Sequence, residues 1–600
     1  MLGERRDVLG AWDDREEGGD ISSYDEESRR LWQRRADHPG GDGPGGFDHG
    51  IRMILIFIAI AFAFVVGKLV WLQAIDPDHL AERAEENRTN AITLFAKRGT
   101  IYDRNGNVLA ISVECRDYFC NAQEVTNPSE AANILSGHLK SSRAEILKAL
   151  MSGETFVYLE RQVDEHEGEK IDEELEAAGI KGVYHLRSSK RDYPYGDCAG
   201  QILGAVGIDG EGLTGLEAYY DDILTGKDGE MLIETGVGGT PIAGAASRTV
   251  EPVNGTDIII SLDIDVQKVA EEEIAKSVEL YEADSGSVMV TDPRNGEIIA
   301  CCSTPLMNPL AFPEVEVDSL AVKPVATSYE PGSIFKLLTS AIALEEGVVT
   351  PDQAFSVPPE VQVGDDYVVD DDLRPYTMVM DLTEMLRRSS NTGLALVAQD
   401  YIGAERFAAG VDKFGIGHMT GIDFPDEAEG IVRPLEDWDG STLGSMAFGQ
   451  GLAIPMVQMV RAVGAIANGG VPHTPHFLIS AGGQEKEWAQ GEQIMSQKTC
   501  DQVIEMMRGV IREGTAMNAQ VPGYDIAGKT GTGQQSSEEG GYKENSFVAS
   551  LIGFAPAYNA DVLVYVGLNG TPYLASESAA FAFSTIMGEA LTDMGIQPTV

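Results

Sequence analysis

Ser333 stands three residues before Lys336 in the stretch 329-YEPGSIFKLLTSAIALEEG-347. A serine hydroxyl is a weak nucleophile until a base takes its proton, and an uncharged lysine one helical turn away is such a base. On a helix the two positions share a face, with Cβ atoms roughly 5–6 Å apart. Working near neutral pH requires the lysine pKa to fall about three units from roughly 10.4, a cost on the order of 4 kcal/mol. Burial and neighbouring cations can supply it, and Ile334, Phe335, Leu337 and Leu338 make the surroundings apolar. Ser333 also opens the predicted helix, so its N–H and the helix dipole can face a developing oxyanion. A capping serine followed by a solvated lysine fits the same residues, and the pair alone does not decide between them.

Two further patterns lie downstream. Ser389, Ser390 and Asn391 supply a hydroxyl and an amide two residues apart, after the helical run MDLTEMLRR. Lys529, Thr530, Gly531 and Thr532 lie in IAGKTGTGQ, a strand of small residues that a substrate backbone can approach closely. Each is weak alone. Serine-x-x-lysine, SSN and KTGT in this order match the motif set of penicillin-binding proteins and serine β-lactamases.

The elements around these motifs read as strands at both ends with helices between. LFAKRGTIYDRNGNVLAISV predicts strand, Asn-Gly turn and strand, and SEAANILSGHL and SRAEILKALMSG predict helices ending at Gly. TDIIISLDID predicts a strand, VQKVAEEEIAKSVELYE an amphipathic helix, and GSVMVTDPRNGEIIACCS two strands. NSFVASLIGFAP and DVLVYVGLNG predict two strands about Tyr558 and Asn559, and SESAAFAFSTIMGEALTDMG a closing helix. One antiparallel sheet built from distant parts of the chain accommodates this order. The loop GVGGTPIAGAASRTVEPVN, 236–254, has the composition of a domain boundary.

Met53 to Ile75 is apolar apart from Gly67, Lys68 and Gln73, about the length that crosses a hydrocarbon core. Lys68 can snorkel to the interface beside Trp71. The leader is too long for a cleaved signal peptide and no small-residue cleavage site follows, so the span predicts an uncleaved anchor. Arg29, Arg30, Arg34, Arg35 and Arg52 precede it and Lys68, Arg83 and Arg88 follow, a modest bias that places the tail inside and the bulk outside. The predicted layout is an acidic disordered tail at 1–50, a transmembrane anchor at 51–75, a pedestal at 76–253 and a catalytic domain at 254–600.

Six hundred residues exceed one ordinary core. A net charge of −51 repels nucleic-acid phosphate and excludes nucleic acid as a partner. Cys115, Cys120, Cys198, Cys301, Cys302 and Cys500 show no metal spacing and predict buried free thiols, with disulfides left open. His473 and His476 sit in turn sequence, which does not aim two rings at one ion, and no metal is expected.

Together the motifs resemble the class B penicillin-binding proteins, the monofunctional peptidoglycan transpeptidases, over about nine-tenths of the chain. RGTIYDRNG at 98–106 is similar to a conserved opening motif of that family. RDYPYGDCAGQILG, GLEAYYDDILTGKDG and SLDIDVQ resemble its pedestal and early transpeptidase signatures. TDPRNGEIIACCSTP and FGQGLAIPMVQ match further stretches, although Pro455 replaces the usual Thr. The resemblance implies a single N-terminal transmembrane helix, an α+β pedestal of dimerisation-domain type, and an α/β penicillin-recognising serine transferase domain with a five-stranded antiparallel sheet flanked by helices. It implies attack by Ser333 on a D-Ala-D-Ala stem peptide with Lys336 as base, and a proton relay through Ser389. Asn391 would orient the substrate amide and Lys336, and Lys529 would supply charge beside the substrate carboxylate. Thr530, Gly531 and Thr532 would bind that carboxylate, and the N–H groups of Ser333 and Thr532 would form the oxyanion hole. No cofactor enters this scheme, β-lactams would be covalent inhibitors, and a multi-spanning glycosyltransferase with other divisome proteins would be partners at the cell membrane.

Asn391 tilts the reading towards the septal type, since the elongation type often carries S-x-D. An elongation-type transpeptidase, a D,D-carboxypeptidase or a β-lactamase on the same fold remains an alternative. So does a catalytically idle anchored scaffold, for which intact motifs have no use. The acceptor amine, the partner polymerase and the oligomeric state are not legible in the sequence.

Overall fold

A computed structural model describes residues 46–71, 89–234, 248–536 and 542–599. The chain divides into two units, Met1–Asn90 with Glu234–Ala245, and Ala91–Ile233 with Ala246–Val600. In the first, helix α1 (Gly46–Val70) contains a 21-residue apolar segment, Gly50–Val70, long enough to cross a membrane and exposed along its length. The Lys68 ammonium stands 4.0 Å above the Trp71 ring. The predicted tail up to residue 45, the last residues of the predicted span and most of the 236–254 loop lie outside the described residues.

The second unit begins with a hairpin, β1 (Ile101–Tyr102) and β2 (Val108–Cys120). Asp103 builds its turn, accepting from the backbone N–H groups of Asn105 and Asn107 at 2.8 Å each, with Gly106 at φ +86. Helices α2 (Pro128–Leu135) and α3 (Arg143–Leu150) follow, the latter started by a Ser142–Glu145 capping box. Strand β3 (Val157–Asp164), helix α4 (Glu165–Ala177) and strand β4 (Val183–Asp192) complete a small α+β layer over a core that includes Tyr118, Leu135, Ile146 and Ile171. Arg98 explains the RG motif beneath it. Its guanidinium is buried and binds Glu217 and Asp221 at 2.6 Å each, while Arg191 holds the other Glu217 oxygen at 2.6 Å. Strand β5 (Ile258–Ile260) runs parallel to β1, Ile101 opposite Ile258, so strands on both sides of residue 254 share one mixed sheet.

Helix α5 (Ile264–Leu280) leads into β6 (Ser285–Thr291) and β7 (Ile298–Ser303). The chain then forms α6 (Lys336–Glu345), the hairpin β8 (Glu360–Val363) and β9 (Asp366–Val369), α7 (Leu382–Arg388), α8 (Asn391–Val397) and α9 (Met456–Ala467). It continues through β10 (Leu478–Ala481), α10 (Gln497–Glu513), β11 (Ala527–Ser536), β12 (Tyr542–Ala555), β13 (Val562–Thr571) and α11 (Ala579–Asp593). The five-stranded sheet has the order β7-β6-β13-β12-β11, antiparallel throughout. Its two faces follow from strand alternation. Gly286 and Gly553 face Ile274 of α5 and Phe583 of α11, whereas Gly531 and Gly567 face Ile334 and Met456. Close packing of helices against the sheet therefore requires glycine on both sides.

The predicted helix at Ser333 differs in detail: residues Gly332–Phe335 form a 3-10 turn, and the α-helix starts at Lys336. All six cysteines are free. His476 stacks on Trp488 with ring centroids 4.6 Å apart.

Candidate active site

Gly332 has φ +56, and its backbone lies against Thr532 and Gly533, within 3.4 Å of where a Cβ would stand. Only a residue without a side chain brings the nucleophile turn this close to the edge strand. Gly449 packs behind it, accepting from the Gly332 N–H at 3.1 Å. Ser333, next in the chain, keeps 8% exposure while Lys336 has none, so the nucleophile is reachable and its neighbour is not. Lys336 is therefore a buried base candidate rather than a snorkelling surface residue.

Lys336 Nζ has four oxygens around it: Ser333 Oγ at 2.8 Å, the Ser389 carbonyl at 2.6 Å, Ser389 Oγ at 3.1 Å and Asn391 Oδ1 at 2.6 Å. The two shortest contacts go to oxygens that only accept. A neutral amine donates two protons and accepts one. With its donors spent on the Ser389 carbonyl and Asn391, its lone pair is left for the Ser333 hydroxyl. Asn391 keeps its amide oriented by donating from Nδ2 to the Val369 carbonyl at 3.2 Å.

Ser389 closes α7 in a left-handed conformation, φ +58, and Ser390 caps α8, accepting from the Gly393 N–H at 3.0 Å. The two short helices thus meet at the SSN turn, which aims Ser389 and Asn391 at one point. Lys529 reaches the same turn from β11, its Nζ donating to Ser389 Oγ at 3.0 Å and to the Thr530 carbonyl at 2.9 Å. The Thr530 hydroxyl is buried and 2.6 Å from Thr515 Oγ1. Gly531 faces Ile334, and Thr532 is partly exposed beside Gly332.

Burial lowers the Lys336 pKa to about 8, with Asp371 and then Asp370 opposing the fall. It stops short of neutrality because these carboxylates favour the charged form. Burial carries Lys529 well below its ordinary value, helped by the charge on Lys336.

The predicted residues Ser333, Lys336, Ser389, Asn391 and Lys529 thus form one hydrogen-bonded chain. Asp370 and Arg374, buried beneath the SSN turn, were not legible as part of it. The four-residue spacing of Asp370 and Arg374 was visible, but in VVDDDLRPY it looks like any solvated acidic loop of a strongly acidic protein. Gly449 was visible only as part of a matched stretch.

Over residues 286–588 the chain matches the penicillin binding protein transpeptidase domain, and over residues 93–260 the penicillin-binding protein dimerisation domain. Stage V sporulation protein D of Bacillus subtilis (strain 168) is 32% identical over 572 residues, covering 91% of this chain and 86% of the relative. The chain belongs to the class B penicillin-binding proteins. Peptidoglycan D,D-transpeptidase FtsI of Escherichia coli (strain K12) is 28% identical over 564 residues, covering 90% of this penicillin-binding protein and 91% of FtsI. A crystal structure from Atopobium parvulum DSM 20469, provisionally named a peptidoglycan glycosyltransferase, is 43% identical with a TM-score of 0.67. It covers 85% of this penicillin-binding protein and 100% of its own chain.

Proposed function

We propose that the chain is a peptidoglycan D,D-transpeptidase acting through an acyl-enzyme on Ser333. The supporting observation is the buried Lys336 amine, which bridges Ser333, Ser389 and Asn391. Lys336 takes the Ser333 proton as Oγ attacks the carbonyl carbon of the penultimate D-alanine. The tetrahedral intermediate collapses with cleavage of the C–N bond, and the leaving D-alanine amine receives a proton through Ser389. An amine of a second stem peptide then attacks the ester carbonyl, forming the cross-link and returning the proton to Ser333 Oγ. The N–H groups of Ser333 and Thr532 hold the oxyanion, a type of contact worth about 2.7–4 kcal/mol per donor in other enzymes. Lys529 supplies a cationic spot for the substrate carboxylate, with Thr530, Gly531 and Thr532 beside it. In a protein of net charge −51 such a spot is needed to admit an anion.

In this reading α1 anchors the chain in the cell membrane and the second unit works outside it, with the division at 254 separating pedestal from transpeptidase domain. The SSN form of the second motif favours a septal role, in company with a multi-spanning glycosyltransferase. The glycosyltransferase name of the Atopobium structure is not carried over, since the matched segment is a transpeptidase domain.

The test is intact-mass analysis of the full-length protein in detergent after exposure to penicillin. A stable adduct that disappears in Ser333→Ala is expected. No adduct in the wild type, or one that survives in Ser333→Ala, would overturn the assignment. Rapid release of hydrolysed drug would instead indicate a β-lactamase.

A further inference from the structure

We infer that Asp370, backed by Arg374, is a positioning residue for acylation, holding the SSN turn so that Ser389 and Asn391 present their oxygens to Lys336. The inference rests on the reading of Lys336 as the base of Ser333.

Three donors of the turn converge on the Asp370 carboxylate. Ser390 Oγ lies 3.0 Å from each of its oxygens, and Thr392 donates from its backbone N–H and from Oγ1 at 2.9 Å each. The residue before Asp370 does the same for the residue before Thr392, since the Val369 carbonyl accepts from Asn391 Nδ2. The last residue of β9 and the one after it thus fix Asn391 of the motif and Thr392 that follows it. Ser390 and Thr392 are not among the hydrogen-bond partners of Lys336. They flank Asn391, and their hydroxyls donate to Asp370.

A buried carboxylate needs a counter-charge, and Arg374 provides it through Nε at 3.2 Å and Nη2 at 3.1 Å. Arg374 is itself clamped. Its Nη1 donates to the carbonyls of Val357 and Tyr376 at 2.8 Å each, and its Nη2 to the Pro358 carbonyl at 2.7 Å and Thr392 Oγ1 at 3.0 Å. The loop that folds Arg374 back onto Asp370 passes through Leu373 at φ +39. A branched side chain is strained in that region, and such strain persists where surrounding contacts over-determine the backbone.

The charged groups facing Lys336 are Asp370 and Asp371 from this loop and Lys529 from β11. The α7 and α8 residues in contact with it, Ser389 and Asn391, are uncharged. Removing the Asp370 charge therefore acts twice. It loosens the turn, and it withdraws one of two negative charges that favour protonated Lys336, leaving Arg374 unpaired nearby.

The experiment is stopped-flow acylation of the full-length protein in detergent by a fluorescent penicillin, resolving the encounter constant from the acylation rate constant across the pH range. Asp370→Asn is expected to leave the encounter constant within about twofold and lower the limiting acylation rate about tenfold to a hundredfold. Its acid limb should move to lower pH. An unchanged rate and an unshifted limb overturn the inference. So does a rate loss matched by equal loss of encounter affinity and of melting temperature, which a purely structural residue would give. If Asp370→Asn does not fold, Thr392→Val decides, because it leaves the Asp370–Arg374 pair intact. A several-fold slower acylation at unchanged encounter supports the inference, and a wild-type rate overturns it. Wild-type protein and Ser333→Ala run alongside. Failure of the wild type to acylate defeats the reading of Lys336 and Ser333, whereas normal wild-type acylation with unaffected variants defeats this inference alone.

Discussion

Lys336 and Lys529 meet on one oxygen: their Nζ atoms stand 3.1 Å and 3.0 Å from the Ser389 hydroxyl. Both side chains are without exposure. Two ammonium ions sharing a half-buried hydroxyl repel each other, and the burial of the two lysines alone already disfavours each charge. Both lysines are accordingly held below their ordinary range, Lys529 with Lys336 as a contributing cause. Asp370 and Asp371 temper the effect at Lys336. The proton lost near neutrality belongs to the pair as a whole. Ser389 is the path along which it can pass.

The first prediction concerns pH. A lysine base works only when uncharged, so acylation by penicillin should rise with pH through about 8 and fall about tenfold per unit below it. With an unperturbed lysine the limb would centre near about 10.4. The second-order acylation rate measured against pH locates it, and a profile flat across neutrality would remove Lys336 from the role of base.

Ser389→Ala should slow acylation by about 10²–10⁴-fold, the usual range for removing a positioned proton-transfer group. It deletes the hydroxyl that both lysines contact but not the backbone carbonyl at 2.6 Å from Lys336. Rapid-quench labelling of the folded variant tests this. A rate within a few-fold of wild type would show that the proton travels another way.

The catalytic chain was legible because its chemistry needs fixed residue types at fixed spacing. Serine and lysine three residues apart, SSN, and a small-residue strand leave marks even in one sequence. One antiparallel sheet was legible from strand-like runs at both ends, such as the apolar DVLVYVGLNG, whereas its five strands followed only from the family resemblance. What stayed hidden depends on distant residues meeting. Asp370 is one carboxylate in a DDD run, and nothing local separates it from the exposed Asp371 and Asp372. The 3-10 turn at Gly332 depends on Gly449 more than a hundred positions later. The parallel pairing of Ile101 with Ile258 likewise has no local signal.

Gly449→Ala should destabilise the protein by about 2–4 kcal/mol and cut acylation more than tenfold. Gly449 has φ +84, and a Cβ there would stand 2.1 Å from the Gly332 carbonyl oxygen, which cannot yield without moving the neighbouring Ser333. Gly451 is the control. It has φ +77 but open space around it, so Gly451→Ala should cost only about 1 kcal/mol of backbone strain with acylation preserved. Urea melts and acylation rates of the two variants check the contrast. Equal behaviour would mean that the close approach to Gly332 is unimportant.

Glu271 offers a prediction about stability rather than chemistry. It sits on α5 with 7% exposure, accepting from Gln267 Nε2 at 2.7 Å and from the Ala199 N–H at 2.9 Å. Burial pushes its carboxyl up to about 7 against the hydrogen bonds, from 4.5 in the unfolded chain, with Asp197 adding to the rise. Between those values the folded state binds more protons than the unfolded one, so this group's stability is full below about 4.5 and is lost as pH rises through about 7. The whole effect amounts to about 3 kcal/mol. Glu271→Gln stays uncharged and keeps an oxygen for Ala199 and Gln267. The variant should therefore match wild type at a pH of about 4.5 or below and exceed its stability above about 7, by up to that amount. Urea melts at both pH values measure the difference. An equal gap at the two, or a variant less stable at the higher pH, would mean that Glu271 is ionised in the folded protein and held by its hydrogen bonds.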